Sequence, residues 1–420
     1  MHRRAFLFIR FTLGGKGGLK MTNIAILGFG VVGGGVADLL TSNKKQITAL
    51  TKKSVNIKYI LDLRDFPDSP FADRVVHDFS VIVNDPEVSV VIEAMGGSHP
   101  AYEFTVAALK SGKSVITSNK EVVAKFGDEF LALAKENKVS YRFEAAVGGG
   151  IPVIEPLISC IRHNEITEIR GILNGTTNYI LTQMFTYGKS FDTALSDAQA
   201  KGYAESNPDA DILGTDACRK IAILTAIATG KLISTDLIHT EGITAIRKED
   251  VAIAEALGCT IKLLGRCRIR RGAPSVLVSP YVIPEQLPLA AVNDVYNAVE
   301  VISSPLENVM FYGRGAGAGP TASAIASDLC LTLKNKTRAI APVFKKSDAI
   351  APTCDMTARF LITVPESEKS VLSSLFRNRT DVTLGGEYAL LTATPMRERE
   401  LTERLSAAGI KPLSVIRYLD

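Results

Sequence analysis

The sequence contains no tryptophan, no CxxC pair and no cysteine–histidine spacing typical of a metal site. The lack of tryptophan has no functional meaning that we can assign. Cysteines without such motifs are expected to be reduced thiols, mostly packed in the interior of a cytoplasmic protein. The six cysteines are Cys160, Cys218, Cys259, Cys267, Cys330 and Cys354.

Two further features are missing. No block of lysine and arginine is interleaved with aromatic residues, and the net charge of +4 is small for 420 residues, so we expect no nucleic-acid surface. No run of eighteen apolar residues occurs, so no membrane span is expected. With 46% hydrophobic residues, the chain can form two or three packed domains.

The first twenty residues differ from the rest of the chain. They carry five Lys or Arg, no acid, and a short apolar patch interrupted by Arg10. The patch is too short for a secretion signal and no small-residue cleavage site follows it. A transit peptide and an upstream start codon are the two interpretations, and the second is more economical because Met21 opens a compact domain directly. We expect residues 1–20 to form an extension without fixed structure.

Residues 23–40 read as a strand, a glycine turn and a helix. The apolar run NIAIL is followed at once by GFGVVG, and Val36, Leu39 and Leu40 continue at helical spacing. In this setting GxGxxG predicts a dinucleotide site, in which backbone N–H groups at the helix start meet the pyrophosphate. A glycine turn in a nucleotide-free fold is the alternative. The candidate cofactor residues are Gly28, Phe29, Gly30, Val31, Val32 and Gly33.

The cofactor itself is left open. The second strand ends at Asp62, and Arg64 follows it. An acid here binds the ribose 2′-hydroxyl of NAD, whereas an arginine accommodates the 2′-phosphate of NADP. Both residues are present, so either NAD or NADP is compatible with the sequence.

Further short apolar strands alternate with helices up to residue 150. Segments 89–93 and 114–117 are strands with a helix between them, which predicts an α/β fold with a Rossmann-type doubly wound parallel sheet over 21–150. Ligands of such sheets bind beyond the carboxyl ends of the strands. Residues expected at those ends are Met95, Gly96, Ser118 and Lys120.

Acidic and basic residues accumulate just before an apolar helix in the stretch GYAESNPDADILGTDACRK, residues 202–220. Asp216 and Lys220 are four residues apart, so they share one face of a helix. Glu205 and Asp211 are expected on a loop folded against its start, because Asn207-Pro208 and Gly214 break the chain there. Partly desolvated carboxylates and an amine would suit proton transfer or recognition of a small zwitterion; a solvated ion pair is the alternative.

The glycines at 148–150 could form a hinge or a small-cation site built from main-chain oxygens. A mixed α+β domain is predicted for 151–310, with catalytic and dimerisation roles. A second glycine-rich turn at 311–320, which contains Gly315, and a helix would return the chain to the nucleotide domain over 311–335. Residues 336–355 read as a linker, and 356–420 as a βαββαβ unit of ferredoxin-like order.

Six blocks together resemble the homoserine dehydrogenase family: GFGVVG, VITSNK, EAAVGGGIP, LNGTTNY, GYAESNPDADILGTDACRK and GRGAGAGPTASAIASDL. The resemblance covers residues 21 to about 333. It implies NAD- or NADP-dependent interconversion of L-homoserine and L-aspartate 4-semialdehyde, in the route to threonine, methionine and isoleucine. The tail resembles an ACT domain in element order but lacks the D-x-P-G turn that such domains often carry.

The resemblance also implies residue roles. Lys220 and Lys120 would be the catalytic lysines, with Lys220 as acid/base and Lys120 polarising the oxygen or holding the substrate carboxylate. Asp216 and Glu205 would hold the substrate ammonium and orient the lysine. The rest of the substrate pocket would be Asp211, Tyr203, Gly175 and Thr176, and a monovalent cation such as sodium would be bound by main-chain carbonyls of Glu144, Val147, Gly149 and Ile151.

Two other classes compete with this prediction. One is a dehydrogenase of another small hydroxy acid, against which the intact LNGTTNY block argues. The other is a nucleotide-binding sensor without catalysis, which would have no need of paired lysines. We also expect a homodimer, or a homotetramer, assembled through the middle sheet. The tail is predicted either to bind an amino-acid effector or only to mediate subunit contacts.

Overall fold

The structure, a computed structural model, describes residues 20–334 and 342–420. The expected N-terminal extension therefore lies outside the described residues, except for Lys20, which opens the first strand. Within the described ranges no helix is long and apolar enough to cross a membrane.

The described ranges contain the following elements. The strands are β1 Lys20–Leu27, β2 Lys53–Leu61, β3 Val75–Val76, β4 Val88–Glu93, β5 Ser114–Thr117, β6 Tyr141–Arg142, β7 Glu165–Ile172, β8 Lys231–Leu232, β9 His239–Thr240, β10 Cys259–Arg270, β11 Ala273–Pro284, β12 Tyr296–Ser304, β13 Glu307–Arg314, β14 Lys345–Lys346, β15 Thr357–Pro365, β16 Arg379–Leu384, β17 Glu387–Thr392, β18 Met396–Arg397 and β19 Ser414–Tyr418. The helices are α1 Val31–Ser42, α2 Lys44–Thr51, α3 Phe79–Val83, α4 Ala101–Lys110, α5 Lys120–Glu136, α6 Ile154–Pro156, α7 Gly175–Tyr187, α8 Phe191–Ala200, α9 Asp209–Ile212, α10 Thr215–Thr229, α11 Lys248–Ala256, α12 Ala318–Lys334, α13 Lys369–Leu375 and α14 Glu398–Ala407.

The N-terminal sheet is parallel and has the order β3-β2-β1-β4-β5-β6. The order reverses between β1 and β4, so a crevice opens at the carboxyl ends of these central strands. Ile24 to Leu27 of β1 are fully buried, as expected for a strand covered by helices on both faces. The doubly wound sheet predicted from the sequence is therefore confirmed. Helix α12 packs against α1 through Ala322, Ile325 and Leu329, and so joins the core of this sheet.

The second sheet has the order β13-β12-β7-β10-β11-β19-β15-β17-β16. One face of β7 and β10 packs against α10. Gly171 and Gly265 lie on that face, and a Cβ at Gly265 would be 2.8 Å from Leu173 and 3.1 Å from Ile221. Helix α10 is buried along most of its length, as its apolar sequence predicted. Gly265 thus lets α10, which carries Asp216 and Lys220, lie directly on the sheet.

Several local predictions were wrong in detail. The strand predicted over 141–146 ends at Arg142, because Glu144–Ala146 form a 3-10 turn. Asp211 lies in the short helix α9 rather than on a loop. The glycine-rich turn predicted from residue 311 starts later, since Phe311 to Arg314 belong to β13, which pairs with a strand that the sequence analysis missed, β12.

The predicted linker is only partly described, because residues 335–341 fall outside the described ranges. Its described part is not a free tether. β14 pairs in parallel with β8. The buried Phe344 packs against Gly127 of α5, where an added Cβ would lie 3.3 Å from the phenyl ring. The chain is therefore held along the nucleotide and middle regions before it reaches the tail.

The C-terminal elements follow the predicted βαββαβ order, and their strands lie in the order β19-β15-β17-β16. The tail does not form a sheet of its own, because β19 also pairs in parallel with β11 through Tyr281↔Arg417 and Val282↔Tyr418. The tail therefore extends the middle sheet. Each backbone edge satisfies the hydrogen bonds of the other, which removes two exposed sheet edges at once.

Ion pairs stabilise this junction between the tail and the middle sheet. Arg417 is buried and donates hydrogen bonds to Glu241 of the middle region at 2.9 Å and to both carboxylate oxygens of Glu398 at 2.8 Å. Arg247 similarly bridges Asp250 and Glu387. Arginine suits such positions because its planar fork can bind two carboxylates at once.

We expect Arg417→Met to lower the free energy of unfolding by about 2 kcal/mol, because two partly buried carboxylates lose their cation. Denaturant unfolding followed by circular dichroism measures this loss. Arg404→Met is the matched control, since Arg404 makes an exposed i, i+4 pair with Glu400. The control should lose less than about 0.5 kcal/mol. Equal losses in the two variants would contradict a stabilising role for the junction.

Candidate active site

The glycine turn after β1 has the shape that a dinucleotide requires. Gly28 has a φ of +89°, and a Cβ there would lie 3.0 Å from the carbonyl oxygen of Ala94. A Cβ on Gly33 would lie 1.9 Å from the carbonyl oxygen of Gly28, so only glycine lets α1 approach β1 this closely. Gly30 is open on its outer side, and no side chain caps α1. Its first N–H groups therefore remain available for a pyrophosphate.

The remaining predicted residues of this turn are arranged around that opening. Phe29 and Val32 are half-buried and Val31 is exposed at the start of α1. The rings of Phe66 and Phe71 contact Phe29 edge to face at centroid distances of 5.0 and 6.1 Å. Packing of these three rings thus holds the glycine turn next to Asp62.

Asp62 and Arg64 form one unit rather than two independent alternatives. Oδ2 of Asp62 accepts a hydrogen bond from the backbone N–H of Phe29 at 2.8 Å, and Arg64 donates to Oδ1 at 3.0 Å and to Oδ2 at 3.1 Å. The Arg64 guanidinium holds the pKa of Asp62 well below its usual range, with help from the Phe29 N–H and against the effect of burial. The carboxylate is fixed at the turn, while Arg64 is largely exposed.

The carboxyl ends of β4 and β5 are joined by Glu93, a residue that the sequence analysis did not single out. Its carboxylate accepts hydrogen bonds from the Met95 N–H at 2.8 Å and the Thr117 hydroxyl at 2.5 Å, and its carbonyl accepts one from the Ser118 N–H at 3.3 Å. Burial raises the pKa of Glu93 to about 7. The sequence offered one signal for Glu93, namely an acidic residue at the end of a buried apolar strand. The half-buried Met95 and Ser118 and the exposed Gly96 therefore line one crevice.

Lys120, Asp216 and Lys220 converge at that crevice. Asn119 caps α5 by accepting from the Glu121 N–H, which places Lys120 in the first turn. Asp216 lies in the first turn of α10, and Lys220 lies one turn later. The two carboxylate oxygens of Asp216 bind one lysine each, at 2.7 Å from Lys120 Nζ and 2.8 Å from Lys220 Nζ.

The two lysines differ in environment. Lys220 is buried, donates to the carbonyl oxygen of Leu173 at 2.7 Å, and has its pKa lowered by burial, which outweighs the attraction of Asp216. Burial also acts on Lys120, but there Asp216 outweighs it and the pKa is raised. Burial would raise the pKa of Asp216, but the two ammonium groups hold it well below its usual range. Lys220 is therefore the lysine that loses a proton more readily.

Asn174 is a second residue that the sequence analysis missed. Its amide donates to Asp211 at 2.7 Å and to Asp216 at 2.9 Å, while its oxygen accepts the Thr177 N–H and caps α7. Burial raises the pKa of Asp211, although its hydrogen bond from Asn174 opposes this. Asn174 was visible as an N-cap residue before Gly-Thr-Thr, but its second role depends on α9 and α10, which come later in the chain.

The other predicted substrate residues lie around Asp211 and Asp216, and they differ in how many contacts hold them there. A Cβ on Gly175 would lie 2.9 Å from the carbonyl oxygen of Val295, so the start of α7 needs glycine. Thr176 donates its hydroxyl to the carbonyl oxygen of Tyr203 at 2.7 Å. Glu205 is exposed, and in the described chain its carboxylate makes no hydrogen bond or ion pair with the lysines. Its role stays a prediction.

The glycine loop after β6 is tightly packed. Gly149 has a φ of +56°, and a Cβ there would lie 2.2 Å from the carbonyl oxygen of Gly315. The Glu144 carboxylate accepts from the N–H groups of Val153, Ile154 and Glu155 at 2.7, 2.8 and 2.7 Å, and so caps α6. The loop after β13 thus touches the loop after β6 at a point where neither can carry a side chain.

The four residues predicted to bind a cation are all buried, namely Glu144, Val147, Gly149 and Ile151. Among the described residues the carbonyl oxygens of Val147, Gly149 and Ile151 accept no backbone hydrogen bond, whereas Glu144 lies in a 3-10 turn. In the same ranges no three Asp, Glu, His or Cys side chains are grouped as metal ligands. A cation here would therefore have to be bound by main-chain oxygens, which fits the predicted type of site.

Comparison with known proteins agrees with this arrangement. A sequence model described as homoserine dehydrogenase matches residues 152–330, and one described as homoserine dehydrogenase, NAD binding domain, matches residues 28–144. The homoserine dehydrogenase of Synechocystis is 39% identical over 353 residues, which is 80% of this chain and 81% of that protein. That of Bacillus subtilis is 37% identical over 324 residues, or 76% of this chain and 74% of the relative.

Solved structures are similar over the same ranges. A homoserine dehydrogenase from Thiobacillus denitrificans superposes with a TM-score of 0.88 at 32% identity, covering 96% of this chain and 99% of that one. A hyperthermophilic archaeal homoserine dehydrogenase mutant in complex with NADPH has a TM-score of 0.62 at 27% identity, with 74% and 96% covered. Identity of this extent across both the nucleotide-binding and the lysine-bearing segments shows that the chain belongs to the homoserine dehydrogenase family.

Proposed function

We propose that the protein oxidises L-homoserine to L-aspartate 4-semialdehyde, and catalyses the reverse reduction, with Lys220 as the proton acceptor and donor. The observation that carries this proposal is the single carboxylate of Asp216 bound by two lysines whose pKa values move in opposite directions. One amine thereby gives up its proton more readily than an ordinary lysine and is suited to exchange it with the substrate, and the other stays charged.

In the oxidation the substrate hydroxyl gives its proton to the neutral amine of Lys220, and the carbon that carried the hydroxyl becomes a carbonyl carbon. Bound NAD or NADP in its oxidised form supplies the hydride acceptor. The protonated Lys120 stabilises negative charge on the substrate oxygen or holds the substrate carboxylate. Asp216 orients both amines, while Asp211 and Glu205 supply negative charge for the substrate ammonium.

The nucleotide residues fit this cofactor. The free N–H groups at the start of α1 would bind the pyrophosphate, and Asp62 and Arg64 would meet the adenosine ribose. A related archaeal enzyme is described as a complex with NADPH. We propose that Arg64, exposed and close to Phe66, binds the 2′-phosphate of NADP, whereas NAD is bound by Asp62.

The glycine loop is proposed to bind a monovalent cation such as sodium through the main-chain carbonyls of Glu144, Val147, Gly149 and Ile151. There the cation would stabilise the contact between Gly149 and Gly315. Activity in sodium chloride and in choline chloride at equal ionic strength tests this, and equal activity would argue against it.

Three further proposals concern the whole molecule. A homodimer would form through the middle sheet, where the edge strand β13 exposes Met310 and Tyr312, and sedimentation at the monomer mass would contradict it. The tail would act as an ACT-like domain for an amino-acid effector, which titration with L-threonine tests. The six cysteines are unpaired among the described residues, as suits a protein of the cytoplasm.

We predict that Lys220→Met lowers kcat for homoserine oxidation by a factor of about 100 or more, because it removes the general base. Asp216→Asn should move the ascending limb of the kcat–pH profile to lower pH. The lost carboxylate favours the protonated form of Lys220, so its removal lowers the pKa of that lysine further. Initial rates from about pH 6 to 10 measure both effects.

The control for these variants is Lys113→Met, another buried lysine, which binds the carbonyl oxygens of Asp85 and Val88 far from the crevice. It should keep kcat within about twofold of the parent if it folds. NADP binding should also be unchanged in Lys220→Met. Loss of nucleotide binding there, or an unshifted pH profile in Asp216→Asn, would contradict the proposed roles.

For the cofactor we predict that Arg64→Gln raises KM for NADP about tenfold and leaves KM for NAD within about twofold. The physical reason is the loss of the guanidinium beside Asp62, where the 2′-phosphate of NADP would be bound. Initial rates with both nucleotides measure the ratio. Arg74→Gln is the control, because Arg74 donates to the carbonyl oxygen of Ile57 and lies over Phe71. An equal loss with NAD and NADP would instead mean that Arg64 only positions Asp62.

A further inference from the structure

We propose that a cavity behind the substrate loop is a binding site for a small monocarboxylate with an aromatic or apolar body. The cavity has a volume of about 490 Å³ and lies between α7, the end of α8 and the segment that enters β12. Its lining residues include Tyr179, Gln183, Lys189, Lys201, Tyr203 and Arg314. None of Lys120, Asp211, Asp216 and Lys220 lines it, so it does not contain the lysine cluster; Tyr203 is the predicted substrate residue that it shares with the crevice described above. The volume is that of a small-molecule site.

The charged lining favours an anion. Lys189 is already bound to Asp197 at 2.5 Å and to Gln183 at 2.8 Å. Lys201 and Arg314, in contrast, make no ion pair with any carboxylate of the described residues; they lie over the rings of Tyr179 and Tyr296, at 5.3 and 5.6 Å from the centroids. Two cations without a carboxylate partner thus face the same space.

Tyr179 gives an independent indication of a ligand. Its side chain is only 3% exposed, and its hydroxyl proton has no acceptor in the part of the chain that the structure describes. Lys201 lies next to this hydroxyl, which raises the pKa of the lysine through a hydrogen bond. An ammonium can only donate to the hydroxyl oxygen, so the hydroxyl proton itself still has no acceptor. A buried donor without an acceptor is costly, and an anionic oxygen in the cavity would accept this proton.

The walls restrict the kind of anion. Four tyrosines line the cavity, namely Tyr179, Tyr187, Tyr203 and Tyr296, and their rings provide flat apolar surfaces for the body of a ligand. Asp294 also lines the cavity and carries the one negative charge among its walls. A second negative charge on the ligand would meet that carboxylate, so a monocarboxylate fits better than a dianionic phosphate.

The cavity is connected to the substrate loop through Tyr203. The ring of Tyr203 contacts that of Tyr179 edge to face at 5.1 Å, and its carbonyl oxygen accepts the Thr176 hydroxyl. A ligand that orders Tyr179 and Tyr203 would therefore also fix the start of α7. We expect occupancy to change KM for homoserine more than kcat, because the catalytic lysines are not touched.

The experiment is isothermal titration calorimetry of the full chain with benzoate, and in parallel with inorganic phosphate. We expect benzoate to bind saturably at one site per chain in the presence of homoserine and NADP, and phosphate not to bind there. Tyr179→Phe and Lys201→Met should each weaken benzoate about tenfold. Without ligand, Tyr179→Phe should be as stable as the parent or more stable, since it removes only the hydroxyl whose proton has no acceptor.

Tyr141→Phe is the matched control, because Tyr141 is also a buried tyrosine whose hydroxyl lacks a partner among the described residues, but it lies in the nucleotide-domain core. Its benzoate affinity should equal that of the parent. Absence of saturable benzoate binding, displacement of benzoate by homoserine, or equal effects of Tyr179→Phe and Tyr141→Phe would each overturn the site. Phosphate binding as tight as benzoate binding would overturn the monocarboxylate class.

Discussion

The carboxylate of Asp216 is buried between two ammonium groups, and the rest of the active site depends on that balance of charge. A lone carboxylate or a lone amine at this depth would be too costly to keep ionised, so it would lose its charge. Three charges of alternating sign instead stabilise one another, and Asn174 adds an amide donor to the same carboxylate. The arrangement keeps Lys120 protonated while burial pushes Lys220 towards the neutral amine. Two identical side chains thereby acquire different chemistry from their surroundings alone.

Such a cluster requires separate parts of the chain to approach closely, and glycines allow this at the decisive points. Gly265 lets α10 rest on the middle sheet, and Gly149 and Gly315 let the loops after β6 and β13 touch. Gly28 and Gly33 do the same for the nucleotide turn. In each place a single methyl group would overlap a neighbouring atom. Glycine backbone thus lies at the close contacts around the crevice, and Lys120 and Asp216 lie in the first turns of α5 and α10.

The C-terminal unit is physically connected to this cluster. Arg417 binds Glu241, the Ile243 N–H donates to the carbonyl oxygen of Ile212, and Ile212 directly follows Asp211. Gly242 packs so closely on Ile212 that a Cβ would lie 2.1 Å from its carbonyl oxygen. A change in how the tail packs against the middle sheet would therefore shift the position of α9 through this short chain of contacts. This gives the proposed effector role a structural route.

The sequence alone determined the features that depend on neighbours along the chain. The strand–glycine–helix start, the alternation that makes a doubly wound sheet, the shared face of Asp216 and Lys220 and the βαββαβ order of the tail all follow from local periodicity and turn residues. Tertiary structure decided what depends on distant segments. Lys120 reaches Asp216 only because α5 and α10, which are far apart in the sequence, pack against each other, and Asn174 gains its second role from helices that follow it. Two further features depend on contacts between distant segments: the pairing of β19 with β11, and the position of the Tyr179 hydroxyl. Packing, and not the local sequence pattern, decides which strand edges and side chains meet.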